Sequence, residues 1–193
     1  ALNRVTGGKP SEIFGALTAN GQVMLVNQAG VHFADGSRVN AGSLVASTLD
    51  IADQDFLAGR LRFAGDAGAG RIVTEGEINV ADGGYVALIA PVIEQRGQIE
   101  AVSGDVALAA GEAVELTLGE TGLVSLKVDR GALQAEIDNG GGIRVGDGAV
   151  VLNAQGLDAM TRHVVNNSGL IEASSLESEG GRIVLEASGA VTN

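Results

Sequence analysis

Two aspartates lie one residue apart in the stretch DQDF, Asp53 and Asp55, with Asp35 and Asp50 close by in the chain. A pair of carboxylates is the minimum equipment for acid–base cleavage of a glycosidic bond. Acidic residues are abundant throughout, however, with 24 Asp and Glu against 12 Lys and Arg. Alternate placement beside a short helical stretch reads as a helix cap and a solvated face. The two histidines, His32 and His163, stand far apart, with no HExxH spacing and no cysteine to complete a zinc set. The glycine-rich GDAGAG lacks the Lys-Ser/Thr that closes a phosphate loop, and the serines form no nucleophile elbow. The expectation is a non-enzymatic chain that uses no metal and no cofactor.

Asparagine carries more information. Asn79, Asn139, Asn153, Asn166 and Asn167 fall at or near turns, where Asn tolerates left-handed conformations. Aligned on successive layers of a regular fold, such residues would stack into amide ladders. Asn27, Gln28, Ala29 and Gly30 form a further turn with the two residue types, Asn and Gly, that open and close tight turns.

These positions require a scaffold, and composition says what kind. Gly reaches 30 and Pro only 2, aromatics make up 3%, and Cys and Trp are absent. A core without aromatics is built from Val, Ile, Leu and Ala, which fill narrow, regular interiors. The net charge of −12 disfavours nucleic acid and anionic membrane surfaces as partners, because phosphates are repelled. No run of ~18 apolar residues is present, so no segment is expected to insert in a membrane. The opening ALNRVTGGKPSEIFG lacks the charged start and apolar run of a signal peptide, and the chain reads as a segment of a longer one.

The regularity is an internal repeat. EGEINVADGGYVALIAP, RGQIEAVSGDVALAAG, GGIRVGDGAVVLNAQG and SGLIEASSLESEGGRIVLEASG share one template: Gly-x-Ile-x-Val/Ala, a polar glycine-rich turn, then an alternating strand ending in Leu-x-Ala. Its first anchors are Ile78, Ile99, Ile143 and Ile171, and its second are Leu88, Leu108, Leu152 and Leu185. Ile78 to Ile99 is one coil of a solenoid, whose repeats run ~20–50 residues. Ile99 to Ile143 is expected to hold two coils, the second built from GLVSLKVDRGALQAEI. Excursions are expected in LDAMTRHVV and between Ser174 and Gly181. Val86, Leu88 and Ala90 alternate with period two, which is strand patterning. A sandwich does not require successive strand pairs to share a template, whereas stacked coils do. The fold class is therefore all-β, a right-handed parallel β-helix with short excursions. About nine coils at ~4.8 Å per strand would make a rod on the order of 40 Å long. The rhythm breaks in STLDIADQDFLAGRLRF, where Ser47 or Thr48 could cap a helical turn at Asp53–Leu57, ended by Gly59. The division expected is 1–75, N-terminal coils with an excursion near 47–63, and 76–193, regular coils of the same solenoid.

NRVTGGKPSEIFGALTANGQVMLVNQAGVHF, continuing into AGSLVASTLDIADQDFLAG, resembles the haemagglutination-activity domain of filamentous-haemagglutinin-like two-partner secretion exoproteins. ADGGYVALIAP, GDVALAAGEAVEL and VVNNSGLIEA are similar to that family's following coils, so the resemblance covers essentially the whole chain. It implies a secreted, non-enzymatic exoprotein of a Gram-negative bacterium, taken to the cell surface by a dedicated outer-membrane transporter. The parent would be a surface adhesin whose partner is a host or bacterial receptor or glycan; the alternatives are the stem of a contact-dependent toxin and a β-helical carbohydrate-active enzyme using Asp53 and Asp55. The family's hallmark Asn-Pro-Asn-Gly turn falls on Asn27, Gln28, Ala29 and Gly30, so this chain keeps its ends and replaces the Pro and the second Asn. The resemblance makes this turn the candidate transporter-recognition motif.

Overall fold

The computed structural model describes residues 1–65, 68–119, 122–156, 165–173, 181–188 and 190–193, with the side chains of 122–124 left aside. Three parallel sheets run side by side. In the first, Leu2–Val5, Gln22–Asn27, Ser43–Ser47, Tyr85–Ala90, Asp105–Ala110, Ala149–Ala154 and Arg182–Ala187 stack in that order. The second stacks Ser11–Ile13, Val31–Phe33, Ile72–Thr74, Val92–Gln95, Glu136–Asn139, Val165–Asn167 and Val191–Thr192. The third stacks Ala16–Thr18, Arg38–Ala41, Glu77–Val80, Gln98–Ala101, Gly142–Val145 and Leu170–Ala173. The chain visits the sheets in rotation, one strand in each per turn, which makes a right-handed parallel β-helix. The sheets continue across residues 75 and 76: Ile72–Thr74 and Glu77–Val80 each pair with strands of both neighbouring coils.

Equivalent residues fall on one another. Leu17, Val39, Ile78, Ile99, Ile143 and Ile171 form one in-register column. Leu88, Leu108, Leu152 and Leu185 form another. The members from Val39 to Ile143 and from Leu88 to Leu152 are buried, each such side chain worth roughly 1.5–3 kcal/mol of burial. Ile99 pairs directly with Ile143, so the expected intermediate coil does not exist. Seven strands stack in the first sheet, and at ~4.8 Å spacing the rod is on the order of 30 Å long rather than 40.

The missing coils were spent elsewhere. Gly122–Arg130, expected inside the solenoid, instead pairs antiparallel with Ala113–Gly119 as a hairpin. That hairpin pairs antiparallel with Leu61–Ala64, which pairs with Asp50–Ile51. Two excursions, leaving the solenoid after Ser47 and after Ala110, thus meet as one four-stranded antiparallel sheet. It lies on the outer face of the first parallel sheet and closes a second core of Met24, Val45, Leu49, Phe63, Ile89 and Val114 among others. The middle strands of the first sheet are consequently buried on both faces: Val86, Leu88 and Ala90 look inward, Tyr85, Ala87 and Ile89 toward the cover. This accounts for the unbroken apolar run YVALIA, as expected of a parallel strand covered on both sides.

The helix Asp53–Leu57 forms, and Gly59 closes it at φ 69°. Ser47 and Thr48 do not cap it. The N-cap is Ala52, without a side-chain bond, while the Ser47 hydroxyl donates to the Leu49 carbonyl at 2.7 Å. The excursions expected in 157–165 and 174–181 fall almost wholly outside the described residues.

Candidate functional site

The turn Asn27–Gly30 connects the first sheet to the second in the second coil. The Gly30 amide donates to the Asn27 carbonyl at 3.0 Å, and the Ala29 amide to Asn27 Oδ1 at 3.0 Å. The Asn27 side chain is fully buried, and its Nδ2 donates to the Lys9 carbonyl at 3.0 Å and to Ser11 Oγ at 2.9 Å. Below the turn, the Gly70 amide donates to the Gln28 carbonyl at 2.7 Å and Val31 to the Arg71 carbonyl at 3.1 Å. One four-residue turn therefore staples three coils. Gly30 has φ 126°, a conformation for glycine only, and a Cβ there would crowd the Arg71 carbonyl oxygen. Gln28 alone is exposed, Ala29 is half-buried, and a cleft of about 190 Å³ between Pro10, Glu12, Gly30, His32 and Arg71 adjoins them.

The other asparagines divide by sheet. Asn139 and Asn167 occupy one inward column of the second sheet, and Asn139 Nδ2 donates to Asn167 Oδ1 at 2.6 Å. Asn167 Nδ2 in turn donates to Asn193 Oδ1 at 2.5 Å. Thr74 and Gln95 continue the column upward: Thr74 Oγ1 donates to Gln95 Oε1 at 2.9 Å, and Gln95 Nε2 reaches the carbonyls of Gly97 and Gly142 at 3.2 and 3.1 Å. Above Thr74 the column turns apolar, with Phe33 and Ile13. Thr74 and Gln95 escape a search for asparagine, yet a signal was present: Thr74, Gln95, Asn139 and Asn167 each stand two residues before a glycine, Gly76, Gly97, Gly141 and Gly169.

Asn79, Asn153 and Asn166 belong to no such column and stand within strands rather than in turns. Asn79 faces outward beside Asn40. Asn153 donates to Glu186 Oε2 at 2.7 Å, and Asn166 to Asp138 Oδ1 at 3.0 Å. Among the described residues every positive φ belongs to a glycine, so these asparagines act through their amides and not through left-handed backbone.

Three of the four candidate carboxylates, Asp50, Asp53 and Asp55, are held in ion pairs. Arg4 spans the gap between the first coil and the first excursion, pairing with Asp50 at 2.8 Å and Asp53 at 2.7 Å and donating to the Ile51 carbonyl. The bond to Asp53 is the main reason the guanidinium is pushed further toward its charged form, with Asp50 adding to it. Asp55 pairs with Arg60 at 2.7 Å across the helix end. Asp35 lies at an exposed turn, not brought to the other three. His32 Nε2 lies 2.8 Å from Glu75 Oε2 on the outer face of the second sheet, and His163 is outside the described residues. No group of three or more potential metal ligands occurs among the described residues. The arrangement suits holding backbone in register and presenting a small, rigid surface feature.

A family model described as TPS secretion domain matches residues 1–193. A heme/hemopexin-binding protein of Haemophilus influenzae (strain ATCC 51907 / DSM 11121 / KW20 / Rd) is 32% identical over 196 residues, which takes in 97% of this chain and 21% of that protein. A second heme/hemopexin-binding protein, also from Haemophilus influenzae, is 28% identical over 208 residues, 97% of this chain and 22% of its own length. The chain thus spans about a fifth of the length of the curated relatives it matches. Among solved structures, the crystal structure of the HMW1 secretion domain from Haemophilus influenzae superposes with a TM-score of 0.82 at 27% identity, over 95% of this chain and 47% of that one.

Proposed function

We propose that this chain, which belongs to the TPS secretion domain family, works by addressing a longer exoprotein of a Gram-negative bacterium to its own outer-membrane transporter. The observation that carries the reading is the family match over the full length, joined to a turn that three coils hold rigid. In this reading the coils of 1–75 form the recognition region, and the transporter contacts the surface around Gln28 and Ala29. Asn27 and Gly30 position that surface. The coils of 76–193 continue the solenoid and start the extracellular stem, secreted and displayed at the cell surface. The chain is non-enzymatic: Asp50, Asp53 and Asp55 serve as ion-pair partners.

For the parent protein we infer an adhesin-type fibre that engages a receptor or glycan through regions beyond this chain, with a toxin stem as the alternative. A second reading is favoured by a specific observation. Both curated relatives are heme/hemopexin-binding proteins, so a haem-acquisition exoprotein competes with the adhesin. Haem-dependent growth of cells secreting the parent, compared with their adherence, separates the two.

The transport role is tested by co-expressing the secretion domain with its transporter. Replacing Gln28 and Ala29 together by Glu alters the exposed surface and leaves the buried clamp in place; secretion is expected to fall several-fold while the purified protein keeps its melting temperature. Asn27→Ala is expected to lower both, since it strands the Lys9 carbonyl, Ser11 Oγ and the Ala29 amide. Unchanged export of the Gln28/Ala29 double variant would overturn the assignment of this turn to recognition.

A further inference from the structure

The chain contains two Asn-Gly pairs, Asn20–Gly21 and Asn139–Gly140. Such a pair is chemically labile because glycine, lacking a side chain, lets its backbone nitrogen approach the preceding amide carbon. The nitrogen must be free to attack, and the asparagine side chain must be free to swing toward it. The two pairs differ on both counts.

Asn139 is fully buried, and its amide is held by Asn167 at 2.6 Å. The Gly140 amide, the nucleophile, donates to the Gln95 carbonyl at 2.8 Å. Asn20 and Gly21 are both exposed at the corner between the third and first sheets. Among the described residues the Asn20 side chain has no hydrogen-bond partner, and the Gly21 amide donates to none. Among the described residues, the hydrogen bond made by the pair itself comes from below, where the Gly42 amide donates to the Gly21 carbonyl at 3.0 Å.

We propose that Asn20–Gly21 is a site of spontaneous deamidation in the folded protein and that the fold protects Asn139–Gly140 from the same reaction. The Gly21 nitrogen attacks Asn20 Cγ and forms a C–N bond. The Cγ–Nδ2 bond breaks, and ammonia departs with the proton the attacking nitrogen gives up. The resulting five-membered succinimide takes up one water at either carbonyl, giving aspartate or isoaspartate. Nothing is oxidised or reduced. Isoaspartate routes the main chain through the former side chain, adds a methylene before Gly21 and shifts the carbonyl that accepts from Gly42. The modification therefore loosens the seat of the first coil on the second.

The test incubates the intact chain at 37 °C and mildly alkaline pH, folded and in urea, then maps peptides by mass spectrometry and labels isoaspartate with the isoaspartyl methyltransferase. Product is expected at residue 20 and not at residue 139 in the folded protein, and at both in urea. Gly21→Ala, whose Cβ would meet no atom within 4 Å, is expected to slow the reaction several-fold without altering the fold. In the isoaspartyl product the Gly42 amide should exchange faster with solvent. Equal rates at residues 20 and 139 in the folded chain, or equal rates with and without Gly21→Ala, would overturn the proposal.

Discussion

Single side chains in this molecule matter mainly through what they leave unpaired. Gln95 is fully buried and is the link between the hydroxyl of Thr74 and two backbone carbonyls. Gln95→Leu fits a column that already contains Phe33, but it leaves the buried Thr74 hydroxyl without its acceptor and takes one donor from each of the Gly97 and Gly142 carbonyls; a loss of roughly 1–3 kcal/mol is expected, read from the urea midpoint at constant slope. An unchanged midpoint would mean that water replaces the amide. Tyr85 supplies a pH dependence. Burial against the covering sheet raises its phenol to about 12 from the ordinary 10, against a smaller opposing effect of Gln22. A raised acid pKa favours the neutral form in the folded state, so this contribution is complete below pH ~10 and is lost as pH rises from about 10 through 12. Stability should fall over that window, and Tyr85→Phe should flatten the fall. The residue scale was partly legible. Asn139 and Asn167 can be read as an amide pair, whereas Thr74 and Gln95 share with them only the glycine two residues on, because different side chains serve one column. The Asn27 clamp on Lys9 and Ser11 was also invisible, since it joins residues of different coils.

At the scale of elements, the corners govern. Gly97 sits where the second sheet turns into the third, and an added Cβ would land on the carbonyl oxygen of Gly76 one coil above. That oxygen accepts from the Gln98 amide at 3.0 Å, so the coil must move or the bond must lengthen. Gly97→Ala is expected to cost about 1–3 kcal/mol, the range for overpacking a tight site. Gly7→Ala, with open space around its Cβ, serves as the control and should shift the midpoint little. Comparable midpoints for the two variants would remove close coil approach as the reason for the glycines. The isoleucine and leucine columns could be read from the sequence because each inward residue must match its neighbour one coil away. The hairpin could not. A strand alternates with period two whether its partner is parallel or antiparallel, so GLVSLKVDR looks like a coil strand until Ile99 is seen to pair directly with Ile143.

For the whole molecule, the consequence of that hairpin is a fold held by two cores instead of one. The inner core is assembled coil by coil, but the outer one needs strands from residues 50–64 and 113–130 to meet over the first sheet. The junction is polar at its rim, where Arg62 pairs with Glu115 at 3.0 Å and Arg130 reaches Glu112 at 3.2 Å and the Gly65 carbonyl at 2.8 Å. Exposed pairs of this kind contribute roughly 0.2–1 kcal/mol each, so the apolar contacts beneath decide the outcome. Replacing Ala113–Arg130 by a short Gly-Ser linker removes Val114 and Leu116 from the second core, worth roughly 3–6 kcal/mol of burial at ~1.5–3 kcal/mol each. It also uncovers Tyr85, Ala87 and Ile89 and leaves Leu61–Ala64 without a neighbour on one edge. The columns of the inner core do not pass through the hairpin. The deleted protein is therefore expected to keep a strand-type far-UV spectrum while it binds a hydrophobic dye, self-associates along the bared edge and unfolds at lower urea. Retention of the parental midpoint, with no dye binding, would show that the solenoid is sufficient alone and that the antiparallel cover adds nothing to its stability.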